Sequence, residues 1–174
     1  HPLTTKLKSF SWAPLGGKLR YSDNVGSYVV DVTQGKPSAQ VEVDDGATVW
    51  APNGYQLAGV TSGDLALTTL RGDEASLELL TTVHQVSDTL PALDAGYISF
   101  NKSGSKLTFS GQLAEDESFT GYTLALKPSP GVPVPVPSDA PDDAETSCRS
   151  WSPAGKLLLC LYNNAAGNQW FVVD

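Results

Sequence analysis

The sequence of 174 residues has no methionine, two histidines and two cysteines, and only 17% of its residues are charged. Zinc sites and Ser-His-Asp triads need histidine or cysteine in suitable groupings, so few sites of these kinds can be built. The Gly-x-Ser-x-Gly nucleophile motif is absent. No apolar run approaches the roughly 20 residues that a membrane-spanning helix needs. Whether the chain is an enzyme stays open, and these absences favour a protein that is not.

The charge balance is acidic, with a net charge of −8 and a pI near 4.6. An acidic surface repels phosphate groups, which disfavours nucleic acid and anionic membranes as partners. With 40% hydrophobic residues, the chain suits one globular domain over residues 1–174. The oligomeric state is left open.

Three features favour secretion. The sequence begins at His1 rather than at methionine, which is typical of a chain from which a signal peptide has been removed. Cys148 and Cys160 suit an oxidising compartment, where they can bridge within one chain or between two copies. Asn101 opens an Asn-Lys-Ser acceptor for N-glycosylation. We therefore predict a secreted glycoprotein of the extracellular space or cell wall.

The local pattern indicates β-structure almost throughout. Short runs of Val, Leu, Thr and aromatic residues alternate with Gly, Pro, Asn and Asp. The stretch 73–86 is ambiguous between helix and strand, and its Thr and Val residues favour strand. Other strands are predicted at 28–32, 39–43, 97–100, 106–109, 122–126 and 170–173. The predicted fold is an antiparallel all-β sandwich or barrel built from hairpins.

One turn motif occurs four times. An aromatic residue is followed by Gly at +4 and Leu at +7, and three copies have Pro at +2. Proline sets φ for a type I turn and glycine supplies the left-handed conformation, so each copy predicts a hairpin. Four such hairpins also suit a β-trefoil or a small propeller, which are the alternative folds. The copies begin at Trp12, Trp50, Phe100 and Trp151.

Residues 127–145 contain six prolines followed by acidic residues. Polyproline II structure is expected there, because proline cannot donate to a β-ladder. The segment is interpreted as a surface loop or linker within the domain. An alternative is a docking segment for a protein partner, which would make the chain a secreted inhibitor or effector.

The aromatic residues are candidates for carbohydrate binding. Exposed Trp and Tyr rings offer flat faces on which sugars stack. Trp50 and Tyr55 lie around one predicted turn, and Trp12 and Tyr21 lie around another. The competing interpretation is that these rings fill the core.

The histidines offer an alternative site. The amine and imidazole of His1 form a two-nitrogen chelate, which His84 could complete. This arrangement resembles the histidine brace of lytic polysaccharide monooxygenases and implies a copper-dependent polysaccharide oxidase. The sequence around His84 is that of a plain strand, so we expect no cofactor and keep copper as the alternative.

The stretch from Trp151 to Leu157, followed by Cys160 and by Gly167 to Trp170, resembles small secreted fungal proteins of the phiA-like, IgE-binding cell-wall group. The single cysteine pair and the Pro-rich insert depart from that group. The resemblance implies a β-sandwich-like surface protein without catalytic residues, and supplies no site residues. The favoured function is a non-catalytic, fungal-type cell-wall or surface protein that binds polysaccharide or acts structurally.

Overall fold

The computed structural model describes residues 6–33, 40–61, 63–80, 93–113, 119–128, 130–138, 144–165 and 167–174. These residues contain fifteen β-strands. Among them there is no helix of the length and apolarity needed to cross a membrane.

The strands form four antiparallel sheets, which follow one another along the chain. In each sheet, strands that are neighbours in sequence are neighbours in space. Sheet I contains β1 (Ser9–Trp12), β2 (Lys18–Ser22), β3 (Ser27–Asp31) and β4 (Val41–Val43). Sheet II contains β5 (Ala47–Trp50), β6 (Gln56–Thr61), β7 (Asp64–Arg71) and β8 (Glu74–Leu79). Sheet III contains β9 (Leu93–Phe100), β10 (Lys106–Gly111), β11 (Thr120–Ala125) and β12 (Val134–Pro135). Sheet IV contains β13 (Glu145–Trp151), β14 (Leu158–Asn164) and β15 (Gly167–Val173).

The predicted all-β class and its antiparallel hairpins are confirmed. The strand interpretation of the ambiguous stretch is confirmed for β8, while residues 81–92 lie outside the described residues. Part of the Pro-rich segment is also a strand, since β12 pairs with β11 at the edge of sheet III. An edge position tolerates Pro135, whose nitrogen has no hydrogen to donate. Residues 139–143 of the same segment lie outside the described residues.

The four copies of the turn motif have the same geometry. In each, the aromatic residue pairs across the hairpin with the Leu at +7, as in Trp12 with Leu19. The amide of the +4 Gly donates to the carbonyl of the +1 residue, at 2.7–3.0 Å. The Gly residues have positive φ values, which side chains rarely adopt. They are Gly16 (70°), Gly54 (68°), Gly104 (66°) and Gly155 (72°). The motif is therefore a structural repeat that places one hairpin in every sheet.

Successive turns also touch one another. A Cβ on Gly54 would lie 3.7 Å from the Cβ of Ala13 in the preceding turn. A Cβ on Gly104 would lie 3.5 Å from Pro52, and one on Gly155 would lie 3.1 Å from Lys102. The four turns thus form a continuous row along one end of the molecule.

The hydrophobic core is divided among the spaces between successive sheets. Val29 of sheet I packs with Leu57 of sheet II, and Leu67 of sheet II packs with Phe109 of sheet III. The third cluster contains Cys148 of sheet IV. Apolar residues on both faces of the inner sheets are therefore buried. The result is a row of four sheets, not the two-sheet sandwich or closed barrel that was the favoured prediction.

Small residues allow the close packing. A Cβ on Gly59 would lie 1.5 Å from the carbonyl oxygen of Gly46, in the turn just before β5 of sheet II. A Cβ on Gly121 of sheet III would lie 2.7 Å from the sulfur of Cys148 in sheet IV. Such separations are far below van der Waals contact, so the backbones approach closely only because these side chains are absent.

Candidate binding cleft between the third and fourth sheets

The four residues of the predicted aromatic platform do not lie together, since two are buried and two are exposed. Trp50 is 9% exposed and Tyr21 is 1% exposed, so neither ring can offer a face to a sugar. The Trp50 indole nitrogen donates to Ser11 of sheet I at 3.1 Å, which anchors the ring between two sheets. The prediction of a ligand-binding role for Trp50 and Tyr21 is corrected, because both rings are buried: Trp50 lies between sheets I and II, and Tyr21 lies beside Tyr28 on the outer face of sheet I.

Trp12 and Tyr55 are exposed, but they do not form one platform. Trp12 pairs with Leu19, and successive side chains of a strand point to opposite faces. Lys18 therefore lies on the other face of sheet I, where its ammonium stands 5.2 Å from the centre of the Tyr55 ring. Lys18 also donates to Asp31 at 2.7 Å, and this bond holds the pKa of Asp31 well below its usual range. The two exposed rings thus lie on opposite sides of sheet I.

Asn101 has a structural role in its turn. Its Oδ1 accepts hydrogen bonds from the backbone amides of Ser105 and Lys106, at 2.9 and 3.0 Å. Its Nδ2, the atom that would carry a glycan, donates to the Ser105 hydroxyl at 3.2 Å. The residue is buried, and its side-chain amide holds the turn together. Glycosylation at Asn101 stays a prediction.

The cysteine pair forms a disulfide within the chain. Cys148 and Cys160 stand directly opposite each other on β13 and β14, and their Cα atoms are 4.0 Å apart. The bond joins the two strands of the last repeat hairpin. The predicted disulfide is confirmed, and the bridge between two copies is excluded.

The copper alternative falls outside the described residues, because neither His1 nor His84 lies among them. Within the part of the chain that the structure describes, no group of three or more His, Cys, Asp or Glu residues could hold a metal ion. The copper site stays a prediction.

Among the described residues, a cleft with a volume of about 420 Å³ lies between sheets III and IV. This volume falls within the range of small-molecule sites, roughly 300–1,000 Å³. Strands β10 to β15 and the third and fourth repeat turns contribute to it. The lining residues are Asn101, Lys106, Thr123, Val134, Pro135, Val136, Pro137, Trp151, Gly155, Lys156, Leu158, Val173 and Asp174.

Trp151 supplies the aromatic ring of the cleft. It is the first residue of the fourth turn motif and pairs with Leu158 across the hairpin. Its indole nitrogen is buried and has no hydrogen-bond partner among the described residues. A buried donor without a partner costs about 1–3 kcal/mol.

Lysines give the cleft a positive charge within an acidic protein. Lys106 and Lys156 line it, and both side chains are exposed. Lys102, in the third turn, is packed against Gly155 of the fourth. Asp174 adds one carboxylate to the lining. The lysines therefore outnumber the acidic group around the cleft, although the whole chain carries a charge of −8.

The lining is mainly apolar and cationic. Glycoside hydrolysis normally needs two facing carboxyl groups, and the described lining contains one, on Asp174. Pro135, Pro137 and Val134 form an apolar wall from the Pro-rich segment. The cleft thus combines an apolar wall, an aromatic ring and cationic donors.

The sequence interpretation missed this cleft, although one signal was present. Lysine stands at +6 of the turn motif in the first and third copies, at Lys18 and Lys106, and Lys156 stands at +5 of the fourth. A residue just after the turn lies at the start of the second strand, so its side chain is close to the neighbouring hairpin. The contribution of the Pro-rich segment could not be inferred, because pairing of β12 with β11 depends on a contact between distant parts of the chain.

Comparison with known proteins shows similarity in structure only. No family model and no curated protein matches the sequence. A TolB-like protein from Agrobacterium tumefaciens matches with a TM-score of 0.59 and 19% identity, over 97% of this chain and 58% of that one. A prolyl endopeptidase matches with a TM-score of 0.61 and 14% identity, over 98% of this chain and 27% of that one. The β-propeller domain of Cps50 (Swd1) from Myceliophteria thermophila matches with a TM-score of 0.53 and 15% identity, over 95% and 58%.

These matches correct the sequence-based resemblance to phiA-like fungal cell-wall proteins, which is wrong. That resemblance depended on an aromatic, a glycine and a leucine around a turn, which any hairpin repeat can supply. The chain spans little more than half of the TolB-like protein and about a quarter of the prolyl endopeptidase. At such low identities the comparison establishes the fold alone: an all-β chain whose four antiparallel sheets of hairpins match those of β-propeller proteins.

Proposed function

We propose that this chain is a secreted, non-catalytic binding protein with the sheet arrangement of a small propeller, and that it binds an acidic carbohydrate in the cleft between sheets III and IV. The observation that carries the proposal is the lining of the cleft, which combines Lys106 and Lys156 with Trp151, whose indole nitrogen has no partner among the described residues. The cell-wall role is not retained, since it depended on the corrected family resemblance.

The ligand class is argued from charge and shape. A carboxylated sugar carries the anionic group that lysines attract, together with hydroxyl oxygens that can accept the indole hydrogen bond. Its apolar ring face can rest against the wall that Pro135 and Pro137 provide. A long polyanion of any kind is a poorer candidate than a short acidic oligosaccharide, because the net charge of −8 repels it over the rest of the surface.

Secretion is supported by the disulfide between Cys148 and Cys160, since such bonds persist in oxidising compartments. A non-catalytic role is supported by the composition of the cleft, which offers donors and apolar surface around one carboxylate. Neither a protein-inhibitor role nor a copper enzyme has a specific feature of the described residues in its favour.

The test is a titration with a short oligosaccharide of galacturonic acid, followed by calorimetry and by tryptophan fluorescence. Lys106→Gln and Lys156→Gln should each raise the dissociation constant about tenfold or more, because each removes a charge-assisted hydrogen bond. Lys8→Gln is the matched control, since Lys8 is exposed and does not line the cleft. Trp151→Phe should weaken binding while keeping an aromatic ring.

Two results would contradict the proposal. Absence of binding at millimolar oligosaccharide would reject the acidic carbohydrate. Equal losses in the Lys8 and Lys156 variants would show that attraction is general and does not depend on the cleft. A neutral oligosaccharide of the same length separates charge from shape, because we expect it to bind at least tenfold more weakly.

A further inference from the structure

The two ends of the row of sheets expose apolar faces. The outer face of sheet I, on the side away from sheet II, carries Phe10 and Trp12, which pair with Tyr21 and Leu19. Phe10 and Trp12 are 66% and 55% exposed. Large rings on the face of a sheet are normally covered, so this face is unusual for a surface in contact with water.

The outer face of sheet IV, on the side away from sheet III, is also apolar. Leu159 pairs with Val172, and Leu161 pairs with Trp170, so these four side chains share one face. Trp170 and Val172 are 58% and 60% exposed. Asn163 and Asn168 extend the same face, so it carries no charge on β14 and β15. Depletion of charge around aromatic residues is characteristic of the centre of protein interfaces.

Residues at the same positions of the turn motif can be compared between the inner and the outer sheets. The comparison shows that each outer face corresponds to a face that is packed against a neighbouring sheet elsewhere in the molecule. Trp50 and Leu57, the pair in sheet II that corresponds to Trp12 and Leu19, are buried beneath sheet I. The residue after the Leu of the motif is fully buried in the inner sheets, as Ala58 and Thr108. The equivalent residue of sheet IV is Leu159, which is larger and 37% exposed. Both outer faces are therefore sides of sheet-on-sheet contacts whose other half is not found among the described residues.

We propose that a second copy of this chain covers these faces, with the outer face of sheet IV of one copy packed against the outer face of sheet I of the other. Each chain carries both halves of this contact, and the contact repeats the order that already joins sheet I to II, II to III and III to IV. Two copies related by a two-fold axis form two such contacts at once, which closes a ring. The exposed rings and aliphatic side chains at the centre of each face carry no charge, and the carboxylates of Glu42 and Glu145 lie at the edges, on β4 and β13.

Sedimentation velocity of the full chain, from micromolar to hundreds of micromolar concentration, tests the proposal. We expect a concentration-dependent dimer. Trp12→Glu and Trp170→Glu should each raise the dimer dissociation constant about 30-fold or more, because each places a charge in the centre of an apolar contact. Val25→Glu is the control, since Val25 is 78% exposed in the β2–β3 turn, away from both faces. Near-ultraviolet circular dichroism checks that the variants keep the fold, with Val172→Glu as a second variant on sheet IV.

A mixture of variants tests the head-to-tail order. A Trp12→Glu chain keeps its sheet IV face, and a Trp170→Glu chain keeps its sheet I face, so the mixture can form one intact contact. Dimers should therefore appear in the mixture at concentrations where each variant alone is monomeric. A wild-type chain that is monomeric throughout would overturn the proposal. So would a dimer that only one of the two substitutions weakens, since that result indicates a symmetric contact between identical faces.

Discussion

The repeat turns allow the cost of backbone strain to be separated from the cost of crowding. Gly16, Gly54, Gly104 and Gly155 occupy the same position of the motif and have φ values between 66° and 72°. Alanine in a left-handed conformation costs about 1–2 kcal/mol relative to its preferred conformations. The strain should therefore be nearly equal at the four positions.

The surroundings of the four glycines differ. A Cβ at Gly16 would meet no atom within 4 Å, and one at Gly54 or Gly104 would make ordinary contacts at 3.7 and 3.5 Å. At Gly155 it would lie 3.1 Å from the backbone nitrogen of Lys102, which cannot move without displacing the neighbouring turn. Overpacking adds about 1–3 kcal/mol. We expect losses of about 1–2 kcal/mol for Gly16→Ala, Gly54→Ala and Gly104→Ala, and about 2–4 kcal/mol for Gly155→Ala.

Urea unfolding followed by tryptophan fluorescence measures these losses, with the disulfide kept oxidised. Asparagine variants provide the control, because asparagine tolerates the left-handed conformation but still carries a Cβ. Gly16→Asn should recover most of the stability lost in Gly16→Ala, whereas Gly155→Asn should not. Equal losses at Gly16 and Gly155 in both series would refute the claim that adjacent turns are in tight contact.

Three further predictions concern single interactions. The bond with Lys18 depresses the pKa of Asp31, so this carboxylate stabilises the fold above its unfolded pKa of about 3.9 and loses that effect as the pH falls. The difference in unfolding free energy between wild type and Asp31→Asn should therefore be largest at pH 7 and vanish in acid. A difference that grows in acid would contradict this prediction. Asn101→Ala should cost about 1–3 kcal/mol, because buried backbone amides lose their acceptor, whereas Asn101→Asp keeps the oxygen and should cost less; the urea midpoints of the two variants make the comparison. Joint replacement of Cys148 and Cys160 by alanine should cost about 2–3 kcal/mol, since the bond closes a short loop; an unchanged midpoint in calorimetry and urea would contradict a stabilising role.

Local structure was accessible from the sequence because it depends on near neighbours. The four turns were predicted from the spacing of an aromatic, a glycine and a leucine, and the structure confirms a hairpin at each. The same spacing cannot distinguish a sandwich from a row of sheets, because the hairpins are identical in both. That distinction depends on contacts such as Gly121 against Cys148, between residues 27 positions apart.

The burial of aromatic rings shows the same limit. Trp12 and Trp50 both begin a Trp-Ala-Pro-x-Gly turn, so their local sequences predict the same environment. Trp50 is buried because sheet I covers it, and Trp12 is exposed because no preceding sheet exists among the described residues. The cleft was missed for a related reason: Trp151 and Pro135 line it together only after sheets III and IV have packed.

The row of touching turns has a consequence for modification of this protein. A Cβ on Gly54 or Gly155 would already contact the preceding turn in the chain. A longer loop inserted into one of these hairpins would therefore displace the neighbouring hairpin. The turn between β2 and β3, at the opposite end of sheet I, is free of this restriction, and its Val25 projects into solvent. Tags, epitopes and linkers therefore belong at that end, where the chain can lengthen without altering the spacing of the sheets.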